Sequence, residues 1–162
     1  MGHLLGVASI VIEYGGDEEM AIAALLHDAV EDQGGLPRLR EIRQKFGKRV
    51  AKIVDGCTDA YSEPKPPWLE RKRAYIERVK GEPEDVRLVS AADKLSNARE
   101  TLYELRVQGE GVFERFAGKK EGTLWYYRAL ITAFRAAGDN PLVDELDRVV
   151  SELEAITSRA SS

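Results

Sequence analysis

Apolar residues recur along this chain at intervals of three and four, the spacing that puts them on one face of a helix. From His3 to Tyr14 the face is Leu4, Val7, Ile10, Val11 and Tyr14, and Gly15-Gly16 stops it. Asp17 then reads as an N-cap, with Glu18 and Glu19 complementing the macrodipole of a second helix that the pattern carries to Asp32, before Gly34-Gly35. Pro37 suits the first turn of a third helix with Leu36, Leu39, Ile42 and Phe46 on its inner face, and Gly47 separates it from a fourth through Val50, Ile53 and Val54. The stretch from Thr58 to Pro67 reads as a loop, because its prolines at 64, 66 and 67 cannot continue a helix. Beyond it the period predicts an amphipathic helix with Trp68, Leu69, Tyr75, Ile76 and Val79 inside, a long helix from Glu84 to about Val107, and a short piece anchored by Phe113 and Phe116. Two more follow, from Glu121 to Ala137 and from Asn140-Pro141 to Ile156; the small, polar tail after Thr157 is expected to fray. Nothing alternates with the period of a strand, so the expectation is an all-α chain with a single domain over residues 1–157 and a disordered tail over 158–162.

One stretch breaks the pattern. Residues Ala24-Leu25-Leu26-His27-Asp28-Ala29-Val30-Glu31-Asp32 begin as an almost wholly apolar helix and end in an imidazole and three carboxylates. At about 100° per residue, Asp28 and Asp32 fall nearly in register, with Glu31 beside them and His27 one step round. Carboxylates are disfavoured at a helix C-terminus, and burying them with an imidazole is costly unless something positive holds them. A metal ion is the economical explanation. Asp93, flanked by Ala91, Ala92 and Leu95, poses the same question: it is either a metal ligand or the partner of Lys94 or another base. His3, the other of the two histidines, lies so near the first residue that the pattern alone gives it no role. Arg71, Lys72 and Arg73 read either as a solvated face or as phosphate contacts.

Composition narrows the classes. The 162 residues are 43% hydrophobic and 32% charged, enough for one real core. A net charge of −4 gives no overall field for nucleic acid or an anionic membrane, so neither is an expected partner, and phosphate binding would need a local basic patch. The one cysteine, Cys57, cannot form an internal disulfide and reads as a packed thiol. With no run of about 18 apolar residues and no signal-peptide pattern, the expected compartment is the cytoplasm.

The ordered set His3, His27-Asp28 and Asp93 resembles the metal-ligand signature of the HD-domain phosphohydrolases, and within them the small alarmone hydrolases related to the hydrolase domain of RelA/SpoT proteins. The matching segments are HLLGVA (3–8), AALLHDAVED (23–32), FGKRVAKIVDGCTD (46–59), LERKR (69–73) and ADKLSNAR (92–99). The resemblance implies a helical bundle of about eight or nine helices in which His3, His27, Asp28 and Asp93 hold one divalent ion, usually manganese. Glu31 and Asp32 would orient the attacking water or accept its proton. Asn97 would lie near the sugar or phosphate of a small nucleotide substrate, with Arg71, Lys72, Arg73 and Arg99 neutralising its phosphates. The implied reaction is removal of the 3′-pyrophosphate from guanosine tetra- or pentaphosphate, giving GDP or GTP and pyrophosphate.

The sequence differs from the family pattern at Leu4, where proline is usual, at Ser90, where lysine is common, and at Glu100. The family's helix before the first ligand His is also not part of this sequence, which implies a more open base pocket. Two other readings therefore stand beside the first: an HD phosphohydrolase that releases orthophosphate from another nucleotide, and a non-catalytic sensor that binds metal and nucleotide without turnover.

Overall fold

The computed structural model describes residues 2–32, 34–61 and 64–160, with the side chains of residues 32, 159 and 160 outside that description. The described residues are helical with no strand: α1 (Gly2–Glu13), α2 (Glu18–Leu26), α3 (Ala29–Asp32), α4 (Gly35–Phe46), α5 (Lys48–Cys57), α6 (Trp68–Lys80), α7 (Glu84–Gln108), a 3-10 segment (Glu110–Arg115), α8 (Lys119–Arg135) and α9 (Pro141–Ala160). No helix among them is long and apolar enough to cross a membrane.

The long helix α7 is the axis of the bundle. It packs against α1, α2, α5, α8, α9 and the 3-10 segment, with α9 alongside it from Arg99, paired with Glu145, to Arg106, paired with Glu152. A helix covered this way should be apolar nearly all round, and Val86, Val89, Ala92, Leu95, Ala98, Leu102 and Leu105 are buried together with the polar Ser90, Asp93 and Thr101. Asp93 therefore sits in the middle of the axis, and α1 and α2 bring their own polar residues to it.

Local chemistry sets the helix ends as the pattern suggests. The Asp17 carboxylate accepts from the Met20 N–H at 3.0 Å and caps α2. Gly47, at φ 93°, makes the reversal between α4 and α5 in a conformation that side chains resist. Gly56 lies so close to Val86 that a Cβ there would overlap it, so the α5–α7 crossing depends on a missing side chain.

Three expectations change. The second helix does not run unbroken to Asp32 but opens at His27-Asp28 and resumes as α3. His27 Nδ1 lies 2.6 Å from the Ala24 carbonyl, the acceptor that a continuing helix would give to the Asp28 N–H. Leu36, Phe46 and Leu69 are not core residues: they are 50%, 42% and 42% exposed, the first two because α4 packs mainly on α3 and α5 and buries only Ile42 fully, and Leu69 because α6 buries Tyr75, Ile76 and Val79 instead. At the other end α9 continues through Ala160, past the expected frayed start, with Ser158 Oγ bonded to the Glu154 carbonyl; residues 161 and 162 lie outside the described residues. Cys57 packs against the core, and burial pushes its thiol well above the usual range, so it is an inert group.

Candidate metal centre and adjoining cleft

Three helices converge on one point. His3 from the first turn of α1, His27 from the break after α2 and Asp93 from the middle of α7 meet with Asp28. The Nε2 atoms of His3 and His27 stand 3.1 and 3.2 Å from Asp93 Oδ1, and His27 Nε2 is 3.1 Å from Asp28 Oδ1. His3, His27 and Asp28 each offer a ligand atom, all within 4.8 Å of one another. Asp28, with its side chain 46% exposed, is on the open side of the group.

The tautomer of His27 decides what belongs there. Its Nδ1 faces the Ala24 carbonyl and must donate, which leaves Nε2 as a lone pair in the neutral ring. That lone pair is buried, points between two carboxylate oxygens and makes no aligned hydrogen bond with either. Acceptors facing acceptors repel unless a cation lies between them. In a metal-free protein the cation is a proton: burial pulls the His27 pKa down, but Asp28 and Asp93 more than offset it and raise it to about 10. A divalent metal satisfies the same atoms, and two imidazole nitrogens with carboxylate oxygens suit manganese, iron, cobalt or zinc.

Surrounding groups aim these atoms. Ser96 Oγ lies 3.2 Å from His3 Nδ1 and turns its Nε2 inward, as outer partners of metal-bound histidines do. Asp93 divides its two oxygens: Oδ1 faces the histidines and accepts from Asn97 Nδ2 at 3.1 Å, while Oδ2 takes the Lys94 ammonium at 2.7 Å. Both alternatives for Asp93, the metal ligand and the partner of Lys94, are thus compatible in one side chain. Burial works against its charge, but Lys94 and the two histidines hold its carboxyl well below the usual range.

A cleft of about 290 Å³ opens beside this centre between α6, α7 and α8. Lys72, Lys94 and Asn97 line it at the metal end, Arg115 and Phe116 farther out, and Trp68, Tyr126 and Tyr127 supply aromatic walls. The Lys72 and Lys94 ammonium groups lie 4.9 and 5.9 Å from the centre of the Tyr126 ring. Trp68 fits against Gly118 and Gly122, where an added Cβ on Gly118 would come within 2.6 Å of the indole. Glu100 also lines the cleft, exposed and with no ion-pair partner among the described residues.

The residues singled out in the sequence divide into those brought together and those kept apart. His3, His27, Asp28 and Asp93 converge, with Asn97 and Lys72 at the cleft. Glu31 is turned toward the loop after α5, where its Oε1 accepts from the Asp59 N–H at 2.5 Å and its Oε2 is 3.5 Å from Lys65 Nζ. The Asp32 side chain lies outside the described residues. Arg71 reaches Asp59 at 2.5 Å, behind Lys72. Arg73 is exposed on the outer side of α6, and Arg99 pairs with Glu145 on α9 at 3.2 Å, so neither lines the cleft. Pattern reading gave no site role to Asp59, Lys94 or Ser96, although all three fall within or beside the segments that carried the resemblance. Tyr126 and Tyr127 are buried and face the cleft as well.

The family model described as HD domain matches residues 1–123. This chain belongs to the HD-domain family. Among relatives of this HD domain, the guanosine-3′,5′-bis(diphosphate) 3′-pyrophosphohydrolase MESH1 of Xenopus tropicalis is 41% identical over 102 residues, covering 62% of this chain and 54% of the relative. The bifunctional (p)ppGpp synthase/hydrolase SpoT of Escherichia coli is 34% identical over 110 residues, or 64% of this chain and 15% of that one. The chain thus spans about half the length of the MESH1 relatives it matches, and far less of the bifunctional protein. Among solved structures, lmo0812 from Listeria monocytogenes superposes with a TM-score of 0.83 at 32% identity, covering 93% of this chain and 97% of that one. A metazoan ortholog of SpoT described as hydrolysing ppGpp superposes with a TM-score of 0.74 at 27% identity, covering 94% of this chain and 80% of that one.

Proposed function

We propose that this HD domain, read as one domain over residues 1–157, is a divalent-metal-dependent hydrolase that removes the 3′-pyrophosphate of guanosine tetra- or pentaphosphate. One observation carries the reading: the buried His27 lone pair and the Asp28 and Asp93 oxygens need a cation, and a cleft lined by Lys72, Lys94 and Asn97 opens beside them. The names of MESH1 and SpoT supply the substrate class. His3, His27, Asp28 and Asp93 would hold the ion, with manganese taken from the resemblance to the alarmone hydrolases. When bound, it supplies Lewis-acid polarisation of a phosphoryl oxygen and a more acidic water.

The rest is done by this chain's own groups. Lys72 and Lys94 counter the charge of the pyrophosphate, which raises its local concentration and lowers the cost of nucleophilic attack on an anion. The Asp59 N–H fixes Glu31 Oε1 and leaves Oε2, loosely paired with Lys65, to take the proton of the attacking water. The water oxygen bonds to the phosphorus next to O3′, the bond from that phosphorus to O3′ breaks, and O3′ takes up a proton. GDP or GTP and pyrophosphate leave. Asn97, held by Asp93, offers a donor to the sugar or phosphate.

The uncompensated Glu100 favours a second reading, in which a less highly charged nucleotide enters and orthophosphate leaves. Stripping the protein of metal, reloading it with single metals and assaying pyrophosphate and orthophosphate separately tests both. Manganese-restored release of pyrophosphate from guanosine tetraphosphate supports the first; orthophosphate release from other nucleotides alone supports the second.

A further inference from the structure

Asp59, in the loop between α5 and α6, touches both halves of the proposed machinery with different atoms. Its backbone N–H donates to Glu31 Oε1 at 2.5 Å, while its carboxylate Oδ2 accepts from Lys72 Nζ at 2.8 Å and Arg71 Nη1 at 2.5 Å. Flanking bonds tie both ends of the loop to α6: Arg71 Nε donates to the Pro66 carbonyl at 3.0 Å, and Arg78 Nη2 donates to the carbonyls of Thr58 and Gly56 at 2.5 and 3.1 Å. The side chain is only 9% exposed, and its Oδ1 is buried without a hydrogen-bond partner among the described residues. A buried carboxylate with one oxygen unsatisfied is an unfavourable tie for a loop, so its negative charge needs a reason.

Three cations supply that reason. Arg71 and Lys72 from α6 and Lys94 from α7 gather around Asp59, Lys72 and Lys94 lining the cleft and Arg71 behind Lys72, with Lys94 already committed to Asp93. We propose that Asp59 is a positioning residue, whose carboxylate holds the Lys72 ammonium aimed into the cleft while its N–H fixes Glu31, so that phosphate binding and water activation are set by one loop residue. What Lys72 would meet there rests on the hydrolase reading; the coupling itself does not.

The groups facing Lys72 are Asp59 from the loop, Arg71 on its own helix, Lys94 from α7 and Tyr126 from α8. Burial pushes the Lys72 ammonium below the ordinary lysine value and Lys94 adds to this, while Asp59 opposes both; Tyr126, raised to about 12 by burial, stays neutral. Removing the Asp59 charge therefore lowers the Lys72 ionisation further.

Asp59→Asn keeps the side-chain shape and the N–H to Glu31 and deletes only the charge. Competitive acetylation of the full chain, read at Lys72 by mass spectrometry across pH, is expected to show a midpoint shifted down by roughly half a unit or more, the scale of one lost neighbouring charge. Asp59→Ser is measured alongside, so a folding failure of one neutral variant leaves the test intact, and Asp59→Glu, which retains the charge, restores the midpoint. In turnover of guanosine tetraphosphate, the KM of Asp59→Asn rises about 5-fold or more, with a smaller effect on kcat. A merely structural Asp59 would lower the melting temperature and leave the Lys72 midpoint unmoved in both neutral variants, and that result overturns the proposal. Labelling needs no turnover: a chain that hydrolyses nothing sinks the hydrolase reading and leaves the coupling to be judged by the midpoint.

Discussion

His27 Nε2 and Asp93 Oδ1 face each other at 3.2 Å, one a buried lone pair from the break after α2 and the other a carboxylate oxygen from the centre of α7. Only a cation makes this approach favourable, and the proton and the metal compete for it.

Metal uptake is therefore coupled to proton release. With its metal-free pKa raised to about 10 by Asp28 and Asp93, His27 is protonated at neutral pH and must give up about one proton per ion. Calorimetry in buffers of different ionisation enthalpy measures that proton directly. The sign of the stability effect follows. The metal-free protein gains from protonated His27 below its unfolded value of about 6.5, and loses that gain as pH rises through about 10. Its melting temperature should fall across that window, and the loss should disappear when manganese is present. A metal-free melting temperature flat over the window, with no proton released on binding, would contradict this assignment of His27.

Glu31→Gln keeps the acceptor for the Asp59 N–H but removes the base. Metal content and melting temperature should stay close to those of the parent, while kcat falls by about 10²- to 10⁴-fold. Inductively coupled plasma analysis beside initial rates separates this from a loss of metal.

Lys72 and Arg99, both basic residues of the segments that resemble the family, should behave oppositely. Lys72→Ala removes a cation from the cleft and should raise KM about 10-fold or more. Arg99 is paired with Glu145 on the surface, so Arg99→Ala should leave kcat/KM within about twofold. Its cost in stability should be at most about 0.5 kcal/mol, because solvent screens an ion pair this exposed. Steady-state kinetics and denaturant melts on the two variants decide between these roles.

Gly56→Ala tests the crossing that fixes α7 under the site. The new methyl would overlap Val86, with both residues buried, and should destabilise the fold by about 1–3 kcal/mol through overpacking. Gly2→Ala, open on every side, provides the control expected to change little.

Much of this molecule was legible in its residue pattern because its information is local. Periodic apolar residues, the Asp17 cap and the Gly47 reversal mark helices that the fold keeps, and His27-Asp28 at the end of an apolar run marked a centre that needs a cation. What was not legible depends on partners distant in sequence. The helix break at His27 arises from a side chain taking the Ala24 carbonyl, which periodicity does not encode. Arg99 reads as a phosphate contact until α9 places Glu145 beside it, and Arg73 until α6 turns it outward. Leu36 and Phe46 keep the spacing of core residues, but α4 packs mainly on neighbours that leave its ends uncovered. Asp59 joins Glu31 to Lys72 across separations of 28 and 13 residues, a relation that only the folded loop displays.

The most direct measurement is chromatographic product analysis of guanosine tetraphosphate incubated with the manganese-loaded protein, beside Asp28→Ala. The account predicts GDP and pyrophosphate in equal amounts from the intact protein and neither from the variant, because Asp28 supplies an oxygen on the open side of the centre. Unchanged substrate from a folded, metal-loaded sample would contradict it, as would equal product from Asp28→Ala.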